Sequence, residues 1–348
     1  MSPAVNPASS TAVRQTSTVL LDDEQLRIEH LQRGGQGAAL VVTFDPLLYL
    51  SAKPPFGHEF LHKQGLDVVA VRKKTENFYQ PLNREAFNAA VVPVADRYPR
   101  VVAYGSSLGA YAALYYCRDQ PWTVIASSPR VSVHPAFGDP VWQQRCEWQH
   151  ERFDADAPAR CHAVIIYDPY DAIDRRYLQG EVLPQFAQAE VVRVPFAGHP
   201  ANNFLADIGY IAPYVRAVLA NTTPPPLHRR QSRTRSATYY QVLALRCLQR
   251  GRLAWADALV QRALVLNPNR LLVQRTLGQV RLAQHCWGEA EAALESALAI
   301  DPSDPYTTAL LNQARAGPLA VAETATTGPL RRALKRLRRR VGGQARQP

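Results

Sequence analysis

Over the first two thirds of the chain, short apolar runs alternate with amphipathic stretches. Residues 39–44, 67–71, 100–104, 122–126, 162–167 and 190–194 are nearly continuous in apolar and β-branched side chains. Strands buried on both faces read this way, as in a parallel sheet. Between them, residues 84–98 bring Phe87, Ala90, Val91 and Val94 to one helical face, with Pro93 inside the pattern as a kink. Further helices are expected from Ser107 to about 118, from about 174 to 187, and from about 202 to 220. Residues 17–21 and 26–31 read as a hairpin of edge strands, and residues 131–157, with Trp142, Cys146 and Trp148, as a small helical insertion. Strands alternating with helices predict a mostly parallel sheet flanked by helices on both faces.

The pattern changes after the proline-rich residues 222–226, and no strand is expected beyond them. Leu243, Ala256, Ala263, Leu264 and Pro268 recur 34 positions later as Leu277, Ala290, Ala297, Leu298 and Pro302. Over about residues 237–302 this resembles a tetratricopeptide repeat, in which small residues let paired helices approach and proline ends each second helix. Residues 305–316 read as a terminal capping helix. The expected organisation is a flexible leader (1–16), an α/β domain (17–220), a Pro/Arg-rich linker (221–236), a small all-α repeat domain (237–317) and a basic tail (318–348).

Candidate chemistry gathers where strands end. Gly105-Ser106-Ser107-Leu108-Gly109 lies between an apolar strand and a helix, the context that a Gly-x-Ser-x-Gly elbow requires. A serine on such a turn stands clear of the sheet, and the helix N-terminus aims backbone N–H groups at the place where an oxyanion would form. Asp171 and His199 also fall just past strand ends, in the chain order Ser…Asp…His. Ser107 is the candidate nucleophile, His199 its base and Asp171 the acid that orients the imidazole. Asp168 is the alternative acid, and Asp174 a further rival.

With Tyr167-Asp168-Pro169-Tyr170-Asp171 and Gly198-His199, these pieces resemble the α/β-hydrolase superfamily over residues 17–220. A narrower likeness rests on Phe56-Gly57, Phe60-Leu61, Gly65-Leu66-Asp67-Val68, Glu76-Asn77-Phe78-Tyr79-Gln80, Tyr104–Ala113 and Ser128-Pro129. It resembles bacterial hydrolase-like proteins of surface-polysaccharide or glycoprotein modification. The superfamily resemblance implies an acyl-enzyme on Ser107, serving an esterase, deacylase or acyltransferase; the narrower one implies acyl groups on glycans as substrate. It places the Leu108 N–H in the oxyanion hole, with Phe44 or Asp45 as the second donor. Phe44-Asp45-Pro46 departs from the His-Gly loop of many lipases, and Pro46 has no N–H to offer. The alternative is a catalytically silent hydrolase-fold scaffold that recruits a protein partner through its repeats.

Composition narrows this further. No apolar run approaches the roughly 18 residues of a membrane span. Five cysteines, widely spaced and odd in number, argue against a disulfide framework or zinc site and point to the reducing cytoplasm. His58 and His62 are four apart but have no further ligands nearby, so no metal and no cofactor is expected. Arg130, beyond a strand end, is either a solvated loop residue or a contact for an acidic substrate. Of the net charge of +11, residues 221–237 carry +4 and residues 329–348 carry +8, which leaves −1 for the rest. Leu334, Leu337 and Val341 recur at helical spacing among the tail arginines, which suits an anionic membrane surface, at the inner face of the membrane. No aromatic residue interleaves with these arginines, which disfavours nucleic acid.

Overall fold

The computed structural model describes residues 16–33, 37–151, 158–227 and 232–327, with side chains as far as Gly317. The leader before Thr16 and the basic tail after Thr327 lie outside them. The chain divides into two compact units, Met1–Gln231 and Ser232–Pro348.

The first unit is built on one eight-stranded sheet, in the order β1-β2-β4-β3-β5-β6-β7-β8. The strands are β1 (Thr16–Asp22), β2 (Leu26–Gln32), β3 (Leu40–Phe44), β4 (Asp67–Lys73), β5 (Val101–Ser106), β6 (Thr123–Ser127), β7 (His162–Tyr167) and β8 (Glu190–Arg193). β2 is antiparallel to both β1 and β4, and every pairing from β4 to β8 is parallel. The expected pair of edge strands is thus one edge strand, β1, and one interior strand. Burial follows this placement: β1 is largely exposed, while every residue of β3, β4 and β5 is buried.

Helix α1 (His58–Lys63) follows β3 and α2 (Arg84–Ala95) follows β4. The helix after β5, α3 (Leu108–Cys117), is buried on every side. A helix apolar all round belongs in a core, and its tyrosines need polar partners there. His150 supplies one to Tyr111 and one to Tyr116. Its ring lies 2.6 Å from the Tyr111 hydroxyl, 3.2 Å from the Tyr116 hydroxyl and 2.8 Å from the Tyr79 carbonyl. Gln80 accepts from the backbone N–H groups of Gln149 and His150. These bonds hold the irregular segment around Trp142 and Trp148 onto α3. That segment contains a single helical turn, α4 (Pro140–Gln143).

Two expected helices differ from the sequence pattern. The helix after β7 starts earlier, as α5 (Ala172–Tyr177), because Asp171 caps it by accepting from the N–H groups of Ile173 and Asp174. It continues through a π-turn at Leu178–Val182. The last helix of the unit is two, Asn202–Asp207 and Ile211–Leu219, separated at Gly209, whose φ of 70° is left-handed.

The second unit is all helix among the described residues: Ala237–Gln249, Leu253–Leu266, Leu271–Ala283, Trp287–Ile300 and Pro305–Thr327. Each boundary of the first pair recurs 34 residues on (237 to 271, 249 to 283, 253 to 287, 266 to 300), and the last helix starts 34 after the third. Ala244, Ala256, Ala263, Ala290 and Ala297 are fully buried between paired helices. At Gly278 an added Cβ would stand 2.5 Å from Cγ of Leu294. The observed fold class is therefore a mostly parallel sheet with helices, followed by a small region of paired helices, as the sequence predicts.

Candidate active site

Ser107 joins β5 to α3 with φ 55° and ψ −117°. An L-residue is strained by about 1–3 kcal/mol in such a region, so the surrounding turn must hold it. The flanking glycines do so by allowing close approach. A Cβ on Gly105 would lie 2.1 Å from the Gly109 carbonyl oxygen, and one on Gly109 would lie 2.2 Å from that of Phe44. The Ser107 N–H donates to the Ser127 carbonyl at 2.9 Å, which ties the turn to the end of β6.

The serine hydroxyl lies 2.7 Å from Nε2 of His199, in the loop that follows β8. Nδ1 of His199 lies 2.9 and 3.0 Å from the two carboxylate oxygens of Asp174. An ionised carboxylate only accepts, so Nδ1 carries the proton and Nε2 is left to accept from the hydroxyl. Asp174 is fully buried. Burial pushes its carboxyl pKa up, but His199 and Arg130 outweigh this and hold it below the ordinary carboxylate value.

Asp174 therefore occupies the place expected of Asp171. The Oδ1 atom of Asp171 accepts from the first turn of α5 and from Arg130 Nη2 at 2.8 Å. Asp168, the alternative acid, binds backbone N–H groups. It is fully buried and accepts from the N–H groups of Tyr170, Phe196 and Gly198, at 2.9, 3.1 and 2.9 Å. It shapes the backbone of the loop that carries His199. The signal available in sequence was capping preference: an aspartate before a helical stretch binds that helix's own N–H groups, which leaves the acid one turn later free to face inward.

The Leu108 N–H belongs to the first turn of α3, where a helix has no internal acceptor for it. Phe44 is the last residue of β3, with its ring in the core and stacked on Tyr116. Asp45 is the first residue beyond. Its carboxylate is buried, accepting from Arg72 Nε and the Phe56 N–H, each at 3.0 Å. Burial raises its pKa and Arg72 offsets part of that. Arg72 also donates to the carbonyls of Leu50, Ser51 and Lys53, and Lys73 to that of Pro46. The loop after β3 is thus held by the last two residues of β4. Sequence reasoning passed over this pair, although two successive cations closing a buried strand mark it.

Trp142 packs edge-on against Phe78, and Trp148 against His134. The rings of His58 and His62 lie 5.3 Å apart, but among the described residues no three metal-ligating side chains come together. No described helix is long and apolar enough to cross a membrane.

No protein-family profile matches the chain, and no curated protein does. Solved structures are similar in fold. A dienelactone hydrolase from Anabaena variabilis is 16% identical, with 53% of this chain and 88% of that one covered, at a TM-score of 0.37. The Pyrococcus furiosus esterase Pf2001 is 11% identical, covering 60% and 93%, at 0.42. The tetratricopeptide-repeat domain of Arabidopsis OM64 is 18% identical, covering 32% and 97%, at 0.23.

Proposed function

We propose that this protein is a serine hydrolase acting on esters through an acyl-enzyme on Ser107. The observation that carries the reading is the unbroken series from the Ser107 hydroxyl to Nε2 of His199 (2.7 Å) and from Nδ1 to Asp174 (2.9 Å). A free serine hydroxyl is a weak nucleophile and needs a base within reach. In the proposed reaction Oγ bonds to the acyl carbon while His199 Nε2 takes its proton. Asp174 stabilises the resulting imidazolium and keeps its orientation. The tetrahedral oxyanion faces the Leu108 N–H, with the backbone at Phe44–Asp45 as the second donor. His199 returns the proton to the departing alcohol oxygen, and water or an acceptor hydroxyl then releases the acyl group. Acylated glycans, which the sequence resemblance suggests, are the first substrates to assay. The helical unit would recruit a protein partner to this chemistry.

Labelling of the purified protein with a fluorophosphonate probe is the test. Stoichiometric labelling that Ser107→Ala abolishes is expected. Absence of labelling in the wild type, or equal labelling of the variant, overturns the proposal.

A further inference from the structure

We propose that Arg130 is a positioning residue of this site, clamping Asp174 against His199 while its own backbone braces the nucleophile turn. The inference rests on the reading of Ser107, His199 and Asp174 as a working set. Arg130 follows β6 in the stretch Ser127-Ser128-Pro129-Arg130. Its N–H donates to the Ser107 carbonyl at 3.2 Å. Its side chain turns the other way, with Nε 2.9 Å and Nη2 2.6 Å from Oδ1 of Asp174. The same Nη2 donates to Oδ1 of Asp171 at 2.8 Å. One residue therefore touches both ends of the series, and the middle of the series is defined by its ends.

Asp174 needs such a clamp. It sits in the first turn of a six-residue helix that runs into a π-turn, so its own element is short. Its Oδ1 is shared between His199 Nδ1 and Arg130, and Oδ2 lies 3.0 Å from the same Nδ1. A guanidinium offers donors in a rigid plane, so two nitrogens fix where Oδ1 sits, and the contact of His199 Nδ1 with both oxygens sets the direction of the carboxylate. Asp171, at the helix cap, holds the guanidinium through that same Nη2. Two acids thus occupy Nε and Nη2 of Arg130, which is more than a solvated loop arginine would hold.

Charge gives the clamp a second effect. The charged groups facing the pair are Asp171 from the cap of α5 and His199 from the loop after β8. Asp168 binds the backbone of that same loop. The Arg130 cation offsets part of the attraction that Asp174 exerts on a protonated His199. Without it the imidazolium is favoured, and the acidic limb of the rate profile moves to higher pH.

The test is the pH dependence of fluorophosphonate labelling in full-length wild type, Arg130→Met and Arg130→Lys. In Arg130→Met the labelling rate should fall about 10- to 100-fold, as for a catalytic group set about an ångström out of place. Its acidic limb should shift upward, and added guanidinium ion should restore part of the rate. Arg130→Lys keeps the charge and loses the fork, so its limb should stay near that of the wild type while its rate falls. If Arg130→Met does not fold, Arg130→Lys decides: a wild-type rate there overturns the proposal. Wild-type rate and limb in a folded Arg130→Met also overturn it. No labelling of the wild type at any pH would instead overturn the reading of the site on which this rests.

Discussion

The two units use glycine and alanine for opposite ends. In the helical unit, small residues such as Ala256, Ala290 and Gly278 let neighbouring helices approach, and the arrangement repeats with a constant displacement. Its contacts join each helix to the next one or to the one after that. In the sheet unit, Gly105 and Gly109 let one turn of backbone pass within contact of another, and the result happens once. The side chains brought together there come from positions 107, 130, 174 and 199. Periodic packing buries area, whereas convergent packing builds a constellation that no single segment contains.

The largest effect expected is on the constellation itself. Asp174→Asn should reduce ester turnover and probe labelling about 10³- to 10⁴-fold, since an amide cannot hold the imidazole in the same tautomer. Asp171→Asn, three residues away, should cost less than about 10-fold. Steady-state rates on the two variants would reverse the assignment of Asp174 if they came out in the other order. Next comes the steric requirement of the turn. Gly109→Ala places a Cβ against the Phe44 carbonyl and should destabilise the sheet unit by about 3 kcal/mol or more, read by urea unfolding.

A smaller effect should appear with pH. Burial pulls the pKa of His150 down to about 4, although the carbonyls beside it oppose this. The unfolded chain, with an ordinary value near 6.5, then binds a proton that the folded chain refuses. Stability should be undiminished by this group above about pH 6.5 and should fall as pH drops from 6.5 towards 4, by about 3 kcal/mol at most. Unfolding midpoints measured across that range, with His150→Gln as comparison, would show the slope flatten in the variant. The smallest effect belongs to the periodic unit. Gly278→Ala should cost about 1–3 kcal/mol through its contact with Leu294, read by helix melting in full-length protein with Ser107 labelling followed in the same samples.

How far each region was legible in sequence follows from the same contrast. The helix pairs were readable because their period is local: Leu243, Ala256 and Ala263 announce Leu277, Ala290 and Ala297. The parallel strands were readable because burial on both faces leaves continuous apolar runs. Ser107 and His199 could be singled out by their places after strands. The acid could not be settled, because three aspartates lie within seven residues and their roles depend on partners far away in the chain. Asp168 meets the loop of Phe196 and Gly198, Asp171 meets its own helix and Arg130, and Asp174 meets His199. Helix phase alone separates Asp171 from Asp174, and that phase is set by the cap. Two successive cations mark Arg72 and Lys73 at the end of a buried strand, but not their hold on the loop after β3, since strand periodicity says nothing about what a strand's last side chains grasp.

The backbone at Ser107 bears on how this chain tolerates change over generations. Glycine could occupy φ 55°, ψ −117° without strain, and every hydrogen bond that the Ser107 backbone makes would survive the exchange. For a chain whose only task is to fold, drift at this codon would therefore run downhill in energy, away from serine. At Gly105 and Gly109 drift would run uphill, whether or not any ester is ever cut. Among descendants of this sequence, the two glycines would persist in active and idle copies alike, and the residue between them would part the two.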